Sequence, residues 1–139
     1  MNVLIRSSVD AATLELCRFG GDYFEAFLRK PDFCGGVRVY SYPDGDGPQL
    51  LSDFFAGMAK DWRGWSGKRE WASLENDLSL TATADSTGHI TLGVRLQAFT
   101  AHQWVLEGAI EIEAGQLDAI ARAVTKFFQP PPNTTSLGS

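Results

Sequence analysis

The sequence contains few of the residues, and none of the common motifs, that enzymes use for chemistry. Two cysteines and two histidines occur among 139 residues. Neither His89 nor His102 has a zinc-type spacing to a cysteine, and the HExxH, CxxC, GxSxG and GxxxxGKS/T motifs do not occur. The sequence therefore predicts no catalytic residues, no metal and no cofactor, and it favours a protein that is not an enzyme.

The sequence also lacks a long hydrophobic run and an excess of positive charge. Its apolar stretches are shorter than a bilayer-spanning segment, and its first residues lack the features of a secretory signal. Twelve basic and 17 acidic residues give a formal net charge of −5. We therefore expect a cytoplasmic protein that binds neither membranes nor nucleic acid, and whose charge suits a basic protein partner.

The two cysteines fall on separate predicted strands of a β meander. The turns of that meander would pair Cys17 and Cys34 with other positions rather than with each other. Thiols also stay reduced in the cytoplasm. The sequence therefore predicts two buried, free thiols.

The first half of the chain has the pattern of a β meander followed by a helix. Four apolar runs within residues 3–42 are separated by turn-forming residues at 8–10, 20–21 and 30–32. Gly35 and Gly36, inside the fourth run, indicate a bulge or a close backbone approach. After a loop at residues 42–48, apolar residues at three- and four-residue steps predict a helix over about residues 49–63.

The second half repeats the order of strands and then a helix. Apolar and polar residues alternate over residues 78–84, 90–96 and 104–113, with a turn at residues 85–88, and a helical stripe follows over about residues 115–128. We therefore predict a single layered α+β domain, residues 1–129, of antiparallel sheets and two amphipathic helices. Residues 130–139 are expected to form a flexible tail rich in proline, serine and threonine.

Three of the four tryptophans fall within residues 62–71. Trp62 continues the apolar stripe of the first helix, so we expect it in the core, and Trp71 and Trp104 belong to the core or its rim. Trp65 follows Gly64 in a predicted turn, where nothing demands burial, so it is the tryptophan best placed to contact a partner. On this interpretation Trp62→Ala costs about 3–5 kcal/mol, and Trp65→Ala costs little.

Two surfaces are candidates for function. The polar face of the last three strands is either an ordinary solvated face or a flat docking surface for a basic partner. Its candidate partner-binding residues, together with Trp65, are Arg95, Glu107, Glu111 and Glu113. The alternative is a pocket for a small molecule or a substrate near Trp65, Trp71, Glu75, Asp85 and His89, although these carboxylates are also ordinary turn residues.

A motif around the tryptophans carries a resemblance to a known family. It reads W-x-G-W-x-G-x-x-x-W-x-S-L-E, and it is followed by D-L-x-L, D-x-x-G-H and AGQLDAIARAVTKFF. This pattern resembles a bacterial domain-of-unknown-function family, numbered 6228, over roughly residues 20–128. The motif positions are Trp62, Gly64, Trp65, Gly67, Trp71, Ser73, Leu74, Glu75, Asp85, Gly88 and His89. The resemblance implies a family but no chemistry.

The order of the elements is also similar, more loosely, to small immunity proteins that neutralise contact-delivered bacterial toxins. That similarity implies a stoichiometric inhibitor that buries an acidic surface against a toxin. The leading hypothesis is therefore a non-enzymatic protein-binding domain, and the looser similarity extends it to an immunity-type inhibitor of a bacterial toxin. A small-molecule-binding or enzymatic domain and a homodimer paired through sheet edges remain as alternatives.

Overall fold

The computed structural model describes residues 2–20, 22–40, 50–99 and 101–129. Within these residues the chain forms two four-stranded antiparallel sheets and two α-helices, so the predicted α+β fold is confirmed. Gly21 of the predicted Gly-Gly turn, the predicted loop at residues 42–48 and the predicted tail at residues 130–139 lie outside the described residues.

The first sheet is a meander in chain order. Its strands are β1 (Val3–Arg6), β2 (Thr13–Gly20), β3 (Tyr23–Arg29) and β4 (Cys34–Tyr40). Alternate residues point to opposite faces of a strand. Side chains of one alternation are accordingly buried, and they are Val3, Ile5, Leu14, Leu16, Phe24, Ala26, Leu28 and Val39.

The second sheet is also a meander in chain order. Its strands are β5 (Arg69–Ala72), β6 (Leu78–Ala84), β7 (His89–Ala98) and β8 (Trp104–Glu113). The predicted turn between β6 and β7 is confirmed, with Gly88 at φ +88°, a left-handed conformation that glycine adopts without strain. The inward residues are buried, and they are Leu78, Leu80, Ala82, Ile90, Leu92, Val94, Leu96, Ile110 and Ile112.

Two helices close the core. Helix α1 (Leu51–Lys60) follows the first sheet, and α2 (Leu117–Phe128) follows the second after a single 3₁₀ turn (Ala114–Gln116). The helices pack against each other, and their apolar stripes join the inward residues of both sheets in one buried cluster. The ring of Phe24 on β3 lies edge-on to Phe127 and Phe128 of α2, at centroid distances of 6.0 and 5.3 Å.

The edge of β8 joins the second sheet to the first. The Ser8 backbone N–H donates to the Glu111 carbonyl at 2.7 Å, and the Lys30 ammonium group donates to the Ala109 carbonyl at 2.8 Å. At the other side of the sheet, the Tyr40 N–H donates to the Asp77 carboxylate at 3.4 Å. Partial burial raises the pKa of Asp77. These contacts use backbone groups that an unpaired strand edge would otherwise expose.

The sequence predicts a bulge or a close backbone approach at the two glycines of β4, and the structure shows close approach by side chains instead. A Cβ atom on Gly36 would lie 2.2 Å from Cδ1 of Phe27 on the neighbouring strand, and one on Gly35 would lie 2.7 Å from Cδ2 of Leu106 on β8. The register shift of this sheet lies elsewhere, between Cys17 and Gly20.

The prediction for the cysteines is half right. Neither cysteine is in a disulfide, and Cys17 is buried, but Cys34 is exposed. Cys34 is the first residue of β4, where the strand has just left a turn and its side chain points away from the core. Among the described residues, no helix is long and apolar enough to cross a membrane.

We expect Gly36→Ala to destabilise the protein by about 1–3 kcal/mol, since the added methyl group overpacks the β3–β4 pair against Phe27. Denaturant unfolding measures the change. Gly20→Ala is the matched control, because a Cβ there has no atom within 4 Å. Equal costs at both positions would contradict the close-approach explanation.

Candidate functional site

The prediction that Trp62 lies in the core is wrong. Helix α1 ends at Lys60, and residues 61–63 form a turn, so Trp62 is no longer on the buried stripe that Met58 continues. Its side chain is 53% exposed, and the Arg63 guanidinium carbon lies 5.0 Å from its ring centroid. The helical spacing predicted burial only because it was extended one turn beyond the actual helix end.

The prediction that Trp65 is an outward-facing tryptophan is also wrong. Gly64 (φ +114°) and Gly67 (φ +74°) adopt left-handed conformations that turn the chain back towards the second sheet. The Trp65 indole N–H donates to the Ala82 carbonyl at 3.2 Å, and the ring packs against the core. The Arg69 guanidinium lies 4.9 Å from the ring centroid and pairs with Asp61. Trp65 is therefore partly buried, and its predicted role in partner contact stays a prediction.

The remaining tryptophans differ from each other. Trp71 pairs with Leu80 and packs against the core, as predicted. Trp104, expected in the core or at its rim, is 38% exposed, and its neighbours Val105 and Phe99 are 48% and 52% exposed. At this end of the β7–β8 pair, side chains on both faces of the sheet are exposed. Val105 is on the same alternation as Glu107, Trp104 is on the opposite one, and Phe99 follows the end of β7.

The outward residues of β6, β7 and β8 form what we call the open face. Strand register places Thr83, Thr91 and Glu111 in one row across the sheet. It places Ser79, Arg95 and Glu107 in another row. The predicted sharing of one face by Arg95, Glu107, Glu111 and Glu113 is therefore confirmed, whereas Trp65 packs against the core of the molecule.

Two contacts order the polar groups of the open face. The Thr91 hydroxyl donates to the Glu111 carboxylate at 3.0 Å, and Arg95 Nη1 lies 3.6 Å from Glu107 Oε2. Between these rows, Gly93 pairs with Ala109, so the centre of the face carries small residues. The side chains at the centre of the open face are therefore shorter than those of the rows on either side. Glu111 and Glu113 lie towards one end of the face, and the Arg95–Glu107 pair and the apolar Val105 lie towards the other.

At the carboxylate end, the β6–β7 turn is held by a hydrogen-bond network. Asp85 Oδ1 accepts from the Thr87 N–H at 2.8 Å, the Thr87 hydroxyl at 2.7 Å and the His89 N–H at 3.1 Å. These bonds lower the pKa of Asp85 to about 2. On the His89 ring, Nδ1 lies 2.9 Å from the Thr87 hydroxyl and Nε2 lies 3.3 Å from Glu113 Oε2.

The structure gathers only part of the alternative pocket. Asp85 and His89 are together in the β6–β7 turn, but Glu75 lies in the turn before β6, at the opposite end of that strand. Trp71 lies between these ends, paired with Leu80. Among the described residues, no group of three or more histidine, cysteine or acidic side chains is placed to hold a metal ion.

A shallow depression lies beside the carboxylate end of the open face. Its cavity volume is about 370 Å³, and it is lined by Trp62, Arg63, Ser86, Thr87, Gly88, Glu113, Ala114 and Gly115. Sequence reasoning did not find it, because its lining comes from three segments far apart in the chain. The available signals were the D-x-x-G-H turn and the Ala-Gly pair before α2, which both place backbone at this edge.

Comparison with known protein families gives a match. The family model described as "Family of unknown function (DUF6228)" matches residues 20–131. No curated protein and no solved structure matches the chain.

We expect the two tryptophans to have opposite effects on stability. Trp65→Ala should cost about 3 kcal/mol, because it removes a packed ring and leaves the Ala82 carbonyl without its donor. Trp62→Ala should change the free energy of unfolding by no more than about 0.5 kcal/mol, as exposed substitutions do. Thermal and denaturant unfolding of both variants measure this. A larger loss of stability for Trp62→Ala than for Trp65→Ala would instead support the sequence-based prediction that Trp62 is buried and Trp65 is exposed.

The Asp85 network predicts a pH dependence at the acidic end of the range. In the folded protein the pKa of Asp85 is about 2, below its ordinary value of 3.8. The ionised carboxylate therefore contributes its full stabilisation of the fold at pH values above 3.8. That stabilisation is lost as the pH falls from 3.8 towards 2. Asp85→Asn should therefore flatten the stability profile in this window, and Asp118→Asn on α2 is the control. Identical slopes for wild type and Asp85→Asn would be inconsistent with the network.

Proposed function

We infer that this chain, which belongs to DUF6228, a family of unknown function, is a non-enzymatic, cytoplasmic protein-binding domain whose open face docks a basic protein. The observation that carries the proposal is the combination of exposed apolar and acidic groups on and beside one sheet face. A solvated face accounts for the threonines and glutamates. It does not account for the exposed Val105 on the open face, or for Phe99 and Trp104, which are exposed at the same end of the β7–β8 pair.

The shape of the open face suits a folded partner. Strands β7 and β8 are each 10 residues long, which corresponds to roughly 33 Å at about 3.3 Å per residue. The small residues Gly93 and Ala109 leave the centre low, so a partner surface can approach the backbone closely. Apolar side chains at one end can lose water on contact, while charged groups towards the other end set the orientation.

The charge of the open face selects the kind of partner. Glu107, Glu111 and Glu113 lie along β8, and Arg95 is the basic residue that faces them. Arg95 and Glu107 are both substantially exposed, so their ion pair contributes little stability and can exchange for a pair with a partner. With a net charge of −5, complementary fields would speed the encounter with a basic protein.

The finer proposal is that the partner is a bacterial toxin and the chain an immunity-type inhibitor. A small acidic domain with an open sheet face could cover a basic active surface in a one-to-one complex. The support is the charge, the size and the open face, which an inhibitor of this kind requires. The alternative pocket near Trp65, Trp71, Glu75 and His89 has less support, because Glu75 and His89 lie at opposite ends of β6.

The test is affinity capture with the tagged protein and matched charge-reversal variants. We expect one basic protein at near-equal stoichiometry, with affinity reduced at least tenfold, or about 1.4 kcal/mol, by the double variant Glu107→Lys/Glu111→Lys. The control Asp22→Lys/Asp32→Lys makes the same charge change at exposed turns of the first sheet. Equal loss in both double variants would indicate a general charge effect and contradict docking on the open face.

Co-expression tests the finer proposal. If the captured protein is a toxin, producing it alone should stop growth, and co-producing this chain should restore growth. The Glu107→Lys/Glu111→Lys variant should fail to protect. A captured protein that is harmless alone would exclude the inhibitor function while leaving protein binding intact. Capture of only the chain itself, with a dimer in size-exclusion chromatography, would favour the homodimer.

A further inference from the structure

We propose that the depression lined by Trp62 and Glu113 is a recognition site for a basic side chain, arginine or lysine, of the protein partner. The inference deepens the proposed function, and it rests on that function for the existence of a partner. Its chemistry, however, belongs to the depression itself and can be tested without the partner.

One wall of the depression is an aromatic ring that attracts cations. Trp62 is more than half exposed although it lies on a turn fixed between α1 and Gly64. The face of an indole ring attracts ammonium and guanidinium groups. The chain already contains one example, because the guanidinium carbon of Arg63 lies 5.0 Å from the centroid of this ring.

Glu113 also lines the depression, and neighbouring groups orient its carboxylate. Glu113 Oε2 lies 3.3 Å from His89 Nε2 and accepts from the Ser8 hydroxyl at 3.1 Å. The Glu113 side chain also accepts from the Gln116 N–H in a capping box at the start of the 3₁₀ turn. These contacts hold the carboxylate in place, yet 42% of the side chain remains exposed. A pre-organised acceptor of this kind spends less entropy on binding than a mobile one.

The backbone at this edge does not favour an anion. A helix N-terminus ordinarily offers free N–H groups to negative ligands. Here the Ala114 N–H donates to the Gly88 carbonyl at 2.9 Å, and the Gln116 N–H is used by Glu113. Asp85 adds a second negative charge beside the lining residues and stays ionised at neutral pH, because hydrogen bonds lower its pKa to about 2. Arg63 is the cation in the lining, and it lies against Trp62.

The depression adjoins the open face, so one partner can reach both. Glu113 pairs with His89 at the end of the β7–β8 ladder, two residues beyond Glu111 on the same alternation. A basic surface docked along β8 would therefore place a long basic side chain within reach of Glu113 and Trp62. Tryptophan and arginine are also enriched among the residues that dominate binding energy in protein interfaces.

The first test uses N-acetyl-arginine amide as the probe, with the neutral isostere N-acetyl-citrulline amide as its control. Resonances of the four indole N–H groups report binding in ¹H–¹⁵N spectra, and Trp62→Phe assigns that of Trp62. We expect a saturable shift at Trp62 with a millimolar Kd for arginine, and no shift at the exposed Trp104. Equal shifts with citrulline, or none with arginine, would overturn the proposal.

Two variants decide the sign of the ligand charge. Glu113→Gln should weaken arginine binding severalfold, whereas Arg63→Gln should leave it unchanged or strengthen it, because a competing cation is removed from the ring. A site for anions would show the reverse pattern, with N-acetyl-glutamate amide as its probe. If Glu113→Gln fails to fold, Arg63→Gln still distinguishes a cation site from an anion site, because an anion site would lose affinity for its ligand when Arg63 is replaced.

The failure of this inference can be told apart from the failure of the proposed function. If the captured partner loses affinity for Glu107→Lys/Glu111→Lys but the arginine probe does not bind, the open face stands and the cation site is refuted. If the probe binds but Trp62→Ala leaves partner affinity unchanged, the partner does not use the depression, and the inference is equally overturned. Support requires both probe binding and at least a tenfold loss of partner affinity in Trp62→Ala.

Discussion

The structure depends on one packing constraint, which is that two short helices complete a core shared by two sheets. The inward alternation of both meanders and the apolar stripes of α1 and α2 form a single buried cluster. Side chains on the opposite alternation of each strand must point away from that cluster. The open face of the second sheet is therefore a direct consequence of how the core is built. Any partner that binds there can do so without disturbing the buried residues.

The same constraint explains the reversed roles of Trp62 and Trp65. Helix α1 contributes Leu51, Phe54, Phe55 and Met58 to the core and then ends. The chain must still reach the edge of the second sheet, and the left-handed Gly64 and Gly67 provide the change of direction. This turn places Trp65 against the Ala82 carbonyl and leaves Trp62 outside. The exposed tryptophan that lines the depression is thus a product of the connection between the two sheets.

Glu113 links the fold to both proposed binding surfaces. It ends β8, begins the 3₁₀ turn that leads into α2, and faces His89 across the strand pair. Its structural contacts fix the position of a charge that still reaches solvent. Structural and recognition roles can coexist in one carboxylate, because its two oxygens offer about four acceptor sites.

The sequence by itself determined the strand-and-helix order apart from the place of β5 in the second sheet, the antiparallel pairing, and the face shared by Arg95, Glu107, Glu111 and Glu113. It also marked Gly35 and Gly36 as a special position of β4. These features follow from local periodicity and turn residues, which act over a few positions and can be read along the chain. The end of α1, the exposure of Cys34 and the depression could not be read in this way. The tertiary structure decided them, because each depends on where separate segments meet in space. No local pattern records that Trp62, Gly88 and Glu113 line one cavity.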